Sequence, residues 1–318
     1  MYIKILAVIQ TLRIRQSLKN LLVLVPLFFT INIWFSLEDL SGMLSILLKA
    51  IYTMLGFFLL SASVYLLNDS IDINNDKKHP FKKHRPIPKG DLSIFSARIW
   101  AITFCLLGNL ICYLTNPLLL SISISFTILN ICYCIILKNI VIIDVITIAI
   151  GFILRAVAGS IAINQSKILI NGNIETLELS VSSWLYVVTG LGALFIALSK
   201  RRGELLGMKN NVNSTRKTLE QYTIPFLDNL INIVATATLF AYTLYSFSYL
   251  SPNNNLPSNN SMMLTIPFVY YGIFRYLYLI QKKQIGEKPE EIFVNDLPLL
   301  ANIILWLITS SLILLYAR

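Results

Sequence analysis

Long apolar runs separated by short polar loops fill the chain from residue 20 to its end. Nine of them approach the length of a bilayer, at roughly 20–37, 43–67, 93–115, 117–137, 141–163, 183–200, 226–250, 262–281 and 297–316. A spanning helix needs about 20 mostly apolar residues. Within lipid, only a helix closes its backbone hydrogen bonds inside each segment. The pattern therefore predicts an all-α membrane protein with about nine transmembrane helices. Asn116-Pro117 predicts the turn between the third and fourth runs. Arg13, Arg15 and Lys19 precede the first run, and no small-residue cleavage site follows. Residues 1–19 are thus expected to form a retained interfacial segment of a single integral-membrane domain covering 1–318.

Composition agrees. The chain is 56% hydrophobic and only 13% charged, with mean hydropathy +0.69, whereas soluble domains carry about 25% charged residues. This leaves little room for a separate soluble domain. Cys105, Cys112, Cys132 and Cys134 all lie in apolar runs, as small core residues do, and their spacing suggests no zinc site.

The loops alternate in charge. Segments 1–19, 66–90, 200–225 and 282–296, together with Lys138, hold 20 of the 26 Lys and Arg residues. The opposite loops have only Lys49, Lys167 and Arg318, while Arg98, Arg155 and Arg275 fall inside runs. The positive-inside rule puts the rich side in the cytoplasm. The N-terminus is then inside and the C-terminus outside, in the cell (inner) membrane. Topology accounts for most of the net charge of +10, so nucleic acid is not expected as a partner.

The stretch LLNDSIDINNDKKHPFKKHRPIPKG, residues 66–90, carries the candidate chemistry. If the second span continues as a helix, Asp69 and Asp76 differ by about 20° around its axis, and Asp72 and Asp76 by about 40°. One face then presents three carboxylates and the Asn68 amide. Acidic groups at a helix C-terminus oppose the macrodipole unless a cation joins them. Hard oxygen ligands suit Mg²⁺, with Mn²⁺ a second choice, and Mg²⁺ commonly takes its remaining ligands from substrate phosphates. The pattern points to a Mg²⁺-bridged diphosphate. The alternative is a solvated helix end. Lys82 and Arg85 in the following basic segment suit phosphate oxygens, Arg85 through its bidentate guanidinium. Simple positive-inside charge is the competing account of the lysines.

These residues resemble a known pattern. Asn68-Asp69-x-x-Asp72-x-x-x-Asp76 after an apolar helix is similar to the first aspartate-rich motif of the UbiA prenyltransferase superfamily. The extension His79-Pro80-x-Lys82-x-x-Arg85-Pro86-Ile87 resembles that of many members. So do Tyr133-x-x-x-Leu137-Lys138, Asp144, and the run from Gly151 through Arg155 to Gly159. The resemblance implies a helical bundle around a central cavity that opens to the cytoplasm. It also implies catalytic and metal-binding roles for Asp69, Asp72 and Asp76, with Asn68 as a further ligand.

One departure is informative. Members of the superfamily usually carry a second aspartate cluster after the sixth helix. Here that place reads Ser199-Lys200-Arg201-Arg202-Gly203-Glu204. A basic site binds phosphate directly. This resembles the branch that includes decaprenyl-phosphate phosphoribosyltransferase, which the stretch Ser214-x-Arg216-x-x-Leu219-x-x-Tyr222 also suits. The resemblance implies 5-phosphoribosyl 1-diphosphate as donor and a polyprenyl phosphate as acceptor. Tyr133, Lys138, Asp144, Arg155, Lys200, Arg201, Arg202 and Glu204 would join Lys82 and Arg85 in substrate binding. Glu204 either meets a ribose hydroxyl or pairs with Lys200 or Arg201. Arg155 is either an anion site or half of a structural ion pair. Two other activities compete: prenyl transfer to an aromatic acceptor, and transport of a phosphorylated solute. The outer loops 164–182 and 253–260 receive no role, and the interleaved Lys282, Lys283, Glu287, Lys288, Glu290 and Glu291 are expected to form a solvated face.

Overall fold

The computed structural model describes residues 2–36, 39–78, 82–170, 173–176, 182–209, 218–247, 256–257, 260–282 and 289–316. His79, Pro80, Glu178, Ser214, Arg216, residues 253–255 and 258–259, Lys283, Glu287, Lys288 and Arg318 lie outside the described residues.

The chain opens with α1 (Tyr2–Thr11), a 3₁₀ stretch over Ile14–Leu24, α2 (Val25–Phe29) and α3 (Ile31–Trp34). Then come α4 (Leu40–Ile71), α5 (Ile73–Lys78), α6 (Pro86–Lys89), α7 (Ile94–Thr115), α8 (Leu119–Ile135) and α9 (Ile143–Ile163). A hairpin of β1 (Lys167–Ile170) and β2 (Asn173–Thr176) follows, antiparallel, with Lys167 opposite Thr176. The rest is α10 (Ser183–Lys209), α11 (Ile224–Ser246), α12 (Ile266–Lys282), α13 (Pro289–Asn295) and α14 (Leu297–Tyr316). The fold is a helical membrane bundle, as the apolar pattern predicts, with this one small hairpin outside the spans.

Among the described residues, seven helical stretches are long and apolar enough to cross a membrane: α4, α7, α9, residues 183–207 of α10, α11, residues 261–282 ending in α12, and α14. The other two expected spans are shorter apolar helices, Ser17–Phe29 and Leu119–Ile135. The first differs from expectation for a local reason. Pro26 cannot donate to a preceding turn, and the Thr30 hydroxyl bonds back to the Pro26 carbonyl at 2.8 Å. The run therefore divides into a 3₁₀ stretch and two short helices. The Asn116-Pro117 turn falls where expected, between α7 and α8.

Helix α9 is central. Over half of its apolar window, 56%, is buried, against 17% in α7 and α14. One apolar core joins the N-terminal stretch, α4, α8 and α9 through Val23, Phe57, Leu60, Phe126 and Ala158. A second joins α9, α10, α11 and α12 through Val145, Leu198, Leu227, Ile231 and Tyr276. Outward residues such as Leu106, Leu114, Ile233, Phe240 and Leu305 are exposed, as lipid-facing positions should be.

Small residues set two close approaches. A Cβ on Gly108 of α7 would sit 2.9 Å from the Gly56 carbonyl oxygen of α4. A Cβ on Gly159 of α9 would collide with the Val23 carbonyl oxygen. The second contact lays the 3₁₀ stretch along α9 and carries Asn20 into the interior, where it is 2% exposed.

Candidate active site

Helix α4 runs on beyond its apolar part and ends at Asp72, its C-cap, before α5 begins at Ile73. The break divides the acidic face. Asp69 and Asp76, both buried, converge on a single Arg85 nitrogen, Nη1, at 3.0 and 2.8 Å. Arg13 also donates to both oxygens of Asp69, at 2.5 Å each. Asp72 instead meets Lys138 Nζ at 2.8 Å through both oxygens, and Asn68 Oδ1 lies 3.4 Å from the same ammonium. The expected single face of three carboxylates is therefore two adjacent faces, because the helix ends at Asp72. Burial raises the Asp76 carboxyl above its ordinary range, against the pull of Arg85 and Lys82.

A hard divalent cation fits this donor set by its chemistry. Asn68, Asp69, Asp72 and Asp76 offer only oxygens. Two of the carboxylates already share one cationic partner. Among the described residues, no three His, Cys, Asp or Glu side chains form a preassembled metal site, so a third protein ligand requires side-chain rearrangement.

A second cluster surrounds the start of α9 and residues 201–204 towards the end of α10. Arg201, 2% exposed, donates from Nε to Asp144 at 2.6 Å, from Nη1 to Glu204 at 2.7 Å and from Nη2 to the Tyr133 hydroxyl at 3.0 Å. The Tyr222 hydroxyl donates to the other Asp144 oxygen at 2.8 Å and accepts the Ile142 N–H at 2.7 Å. Ile142 has φ 70°, rare for a β-branched residue. Tyr222 thus holds a strained turn at the head of α9. Burial pushes its phenol up to about 12, so it remains a donor.

Arg202 donates to Asp228 at 2.5 Å and to the Ile280 carbonyl at 2.9 Å, tying α10 to α11 and α12. Arg201 and Arg202, expected to meet phosphate, thus have protein carboxylates as partners in this structure. A buried guanidinium left without its carboxylate would be an uncompensated charge, which is costly. Glu204 takes the ion-pair alternative, with Arg201. Lys200 lies beside this pair in sequence and has its own protein interaction.

Arg155 is buried in α9 without a carboxylate among its described partners. Its Nε donates to Asn20 Oδ1 at 2.8 Å, Nη1 to the Gly151 carbonyl at 2.8 Å and Nη2 to Ser61 Oγ at 3.2 Å. Its guanidinium lies over the rings of Phe126 and Phe152, at 4.6 and 5.6 Å. Of the two readings of Arg155, the ion pair is the one these partners disfavour.

Several residues of these clusters escaped the sequence pattern. Arg13 resembled ordinary interfacial charge. Asn20 was one polar residue at the head of an apolar run. Ser61 was one hydroxyl among apolar neighbours, and Asp228 is separated from Arg202 by 26 positions. Only Asn20, a polar residue opening an otherwise apolar run, left a signal that could have been followed.

Comparison with known proteins places this geometry. Over 305 residues the chain is 28% identical to decaprenyl-phosphate phosphoribosyltransferase of Mycolicibacterium smegmatis, covering 94% of this chain and 89% of that protein. It is 29% identical over 301 residues to the protein of that name from Corynebacterium glutamicum, covering 94% and 83%. In fold it matches a UbiA homologue from Archaeoglobus fulgidus solved with GPP and Mg²⁺, with TM-score 0.69 at 15% identity over 97% of this chain and 99% of that one. Residues 23–297 match the UbiA prenyltransferase family, and the chain belongs to that family.

Proposed function

We propose that this membrane transferase moves the 5-phosphoribosyl group of 5-phosphoribosyl 1-diphosphate onto a polyprenyl phosphate and releases diphosphate. The observation that carries the reading is the asymmetry of the two clusters. One rim offers Asn68, Asp69, Asp72 and Asp76, while the place of a second acidic cluster holds the Arg201 network. A single acidic cluster suits one metal at the departing diphosphate, which leaves the donor's 5-phosphate to basic side chains outside the Arg201–Asp144 pair. The names of the relatives agree with this donor and acceptor.

Asn68, Asp69, Asp72 and Asp76 would hold Mg²⁺, with Mn²⁺ as a substitute. Bound there, the ion would neutralise charge on the departing diphosphate. Lys138, Arg85 and Lys82 are placed beside the same carboxylates and would take diphosphate oxygens as those carboxylates turn to the metal. The C1–O bond to diphosphate breaks with its electron pair leaving on oxygen. A lipid phosphate oxygen forms the new bond at C1, through an oxocarbenium-like transition state. The acceptor oxygen is already anionic near neutral pH, so no strong base is needed. Tyr133, Asp144, Tyr222 and Arg201 would form a rigid wall that positions the sugar. Lys200 and Glu204 edge that wall. Loop charge favours a cytoplasmic position for the rim and the N-terminus, in the inner membrane.

The test uses membranes containing the protein, Mg²⁺, polyprenyl phosphate and donor labelled in the ribose. Label should enter the organic-extractable lipid only when polyprenyl phosphate is present, and a chelator should stop it. Coupling of a prenyl diphosphate to an aromatic acid, with no label transferred from the ribosyl donor, would overturn the proposal.

A further inference from the structure

Arg155 carries a full charge inside the bundle, and only neutral oxygens among the described residues face it. Three of its five N–H donors are used. Asn20, 2% exposed, supplies its Oδ1 to both Arg155 Nε and the Ser61 hydroxyl, at 2.8 and 3.2 Å. Those two donors fix the amide orientation, since the flipped form would set N–H against N–H. The Asn20 Nδ2 group is then buried with no acceptor. One guanidinium and one amide therefore leave unused donors side by side, around a positive charge.

The node is distinct from the acidic rim. Ser61 lies ten residues before the end of α4, about 15 Å along the axis, and Arg155 lies a similar distance into α9. Phe126 and Phe152 flank the guanidinium, and Lys19 Nζ approaches the same Phe152 ring at 5.9 Å. A charge at this depth in a membrane protein marks a ligand or a partner. The unmatched groups are all donors, so the missing group is an acceptor with negative charge.

We infer that Arg155, Asn20 and Ser61 form a binding node for a phosphomonoester, below the rim and independent of its metal. The inference deepens the proposed function, in which two substrates carry such a group: the polyprenyl phosphate and the 5-phosphate of the donor. The node consists of one cation, one amide and one hydroxyl, and its apolar flanks exclude competing water.

Binding to the purified full-length protein in detergent, without Mg²⁺, tests the node apart from catalysis. The probes are a short isoprenyl monophosphate, the matching isoprenyl alcohol, and ribose 5-phosphate. Wild type should bind one monophosphate and not the alcohol. Selective binding of the isoprenyl compound assigns the node to the acceptor, and selective binding of ribose 5-phosphate assigns it to the donor. Arg155→Gln should weaken that binding by about 10–100-fold, as loss of a charged hydrogen bond does. Asn20→Asp guards against misfolding, because it gives Arg155 a carboxylate of its own. That variant should melt no lower than wild type and lose monophosphate binding. Unchanged binding in Asn20→Asp, or no monophosphate binding by wild type, would overturn the inference. Monophosphate binding without ribosyl transfer would instead leave the node standing and remove the proposed reaction.

Discussion

Deleting the Arg201 guanidinium asks whether the basic cluster is wall or ligand site. Asp144 is 0% exposed, and Arg201→Ala would leave it only the Tyr222 hydroxyl, at 2.8 Å, as a side-chain partner. Breaking a buried pair by removing one partner costs about 3–5 kcal/mol. Glu204 and Tyr133 also lose a partner, but the Glu204 side chain, 19% exposed, can rehydrate at little cost. Asp144→Asn should cost less, about 1–3 kcal/mol, because Glu204 still balances Arg201. Replacing both, as Arg201→Met with Asp144→Leu, removes the uncompensated charge and should recover much of the loss. At about 2 °C per kcal/mol for a long chain, Arg201→Ala should melt about 6–10 °C below wild type. The assay is thermal unfolding in detergent, followed by a fluorogenic thiol reagent that reports exposure of the buried Cys112 and Cys134. A variant that melts within about 2 °C of wild type, and loses transfer through a raised KM, would refute the structural role and return Arg201 to substrate binding.

Asp72→Asn should abolish transfer, by about 100-fold or more, and barely change the melting point, since its pair with Lys138 is partly exposed and worth at most about 1 kcal/mol. Near-normal Mg²⁺-dependent activity would remove Asp72 from the metal set. Tyr222→Phe leaves the strained Ile142 N–H and one Asp144 oxygen without this partner and should destabilise by about 1–3 kcal/mol. The Tyr222 phenol is raised to about 12, above its ordinary 10.0, so its stabilisation is complete below pH 10 and is lost as pH rises through the raised value. The melting difference between wild type and Tyr222→Phe should therefore shrink over that alkaline interval, and a constant difference would contradict the hydrogen-bond assignment. Gly108→Leu should disrupt the α4–α7 contact, because its Cβ alone would meet the Gly56 carbonyl oxygen at 2.9 Å. A variant that accumulates and melts like wild type would show that the two helices can separate freely.

Much of the site's first half was legible in sequence. Asn68, Asp69, Asp72 and Asp76 are local in the chain, which gathers them where α4 ends and α5 begins, although the break at Asp72 divides the single face that helical spacing predicts. Tyr133 and Lys138 were legible only through the resemblance to the UbiA pattern, at the close of an apolar run. The basic run 200–202 was legible as charge but not as partnership. Whether an arginine faces solvent, phosphate or a carboxylate depends on residues such as Asp144 and Asp228, which come from other helices.

The sequence by itself determined that this is a bundle of membrane-length helices, because lipid leaves a long apolar segment no other way to close its backbone hydrogen bonds. It also brought Asn68, Asp69, Asp72 and Asp76 close together, since they are neighbours in the chain, but not onto the one face that an unbroken helix predicts. Tertiary structure alone decided the rest. Arg85 bridges Asp69 and Asp76, Lys138 takes Asp72, Arg201 is sealed against Asp144, and Arg155 is left with neutral partners. Charge pairing across a bundle depends on distance and burial in three dimensions, and separations of 57 or 135 positions along the chain carry no information about either.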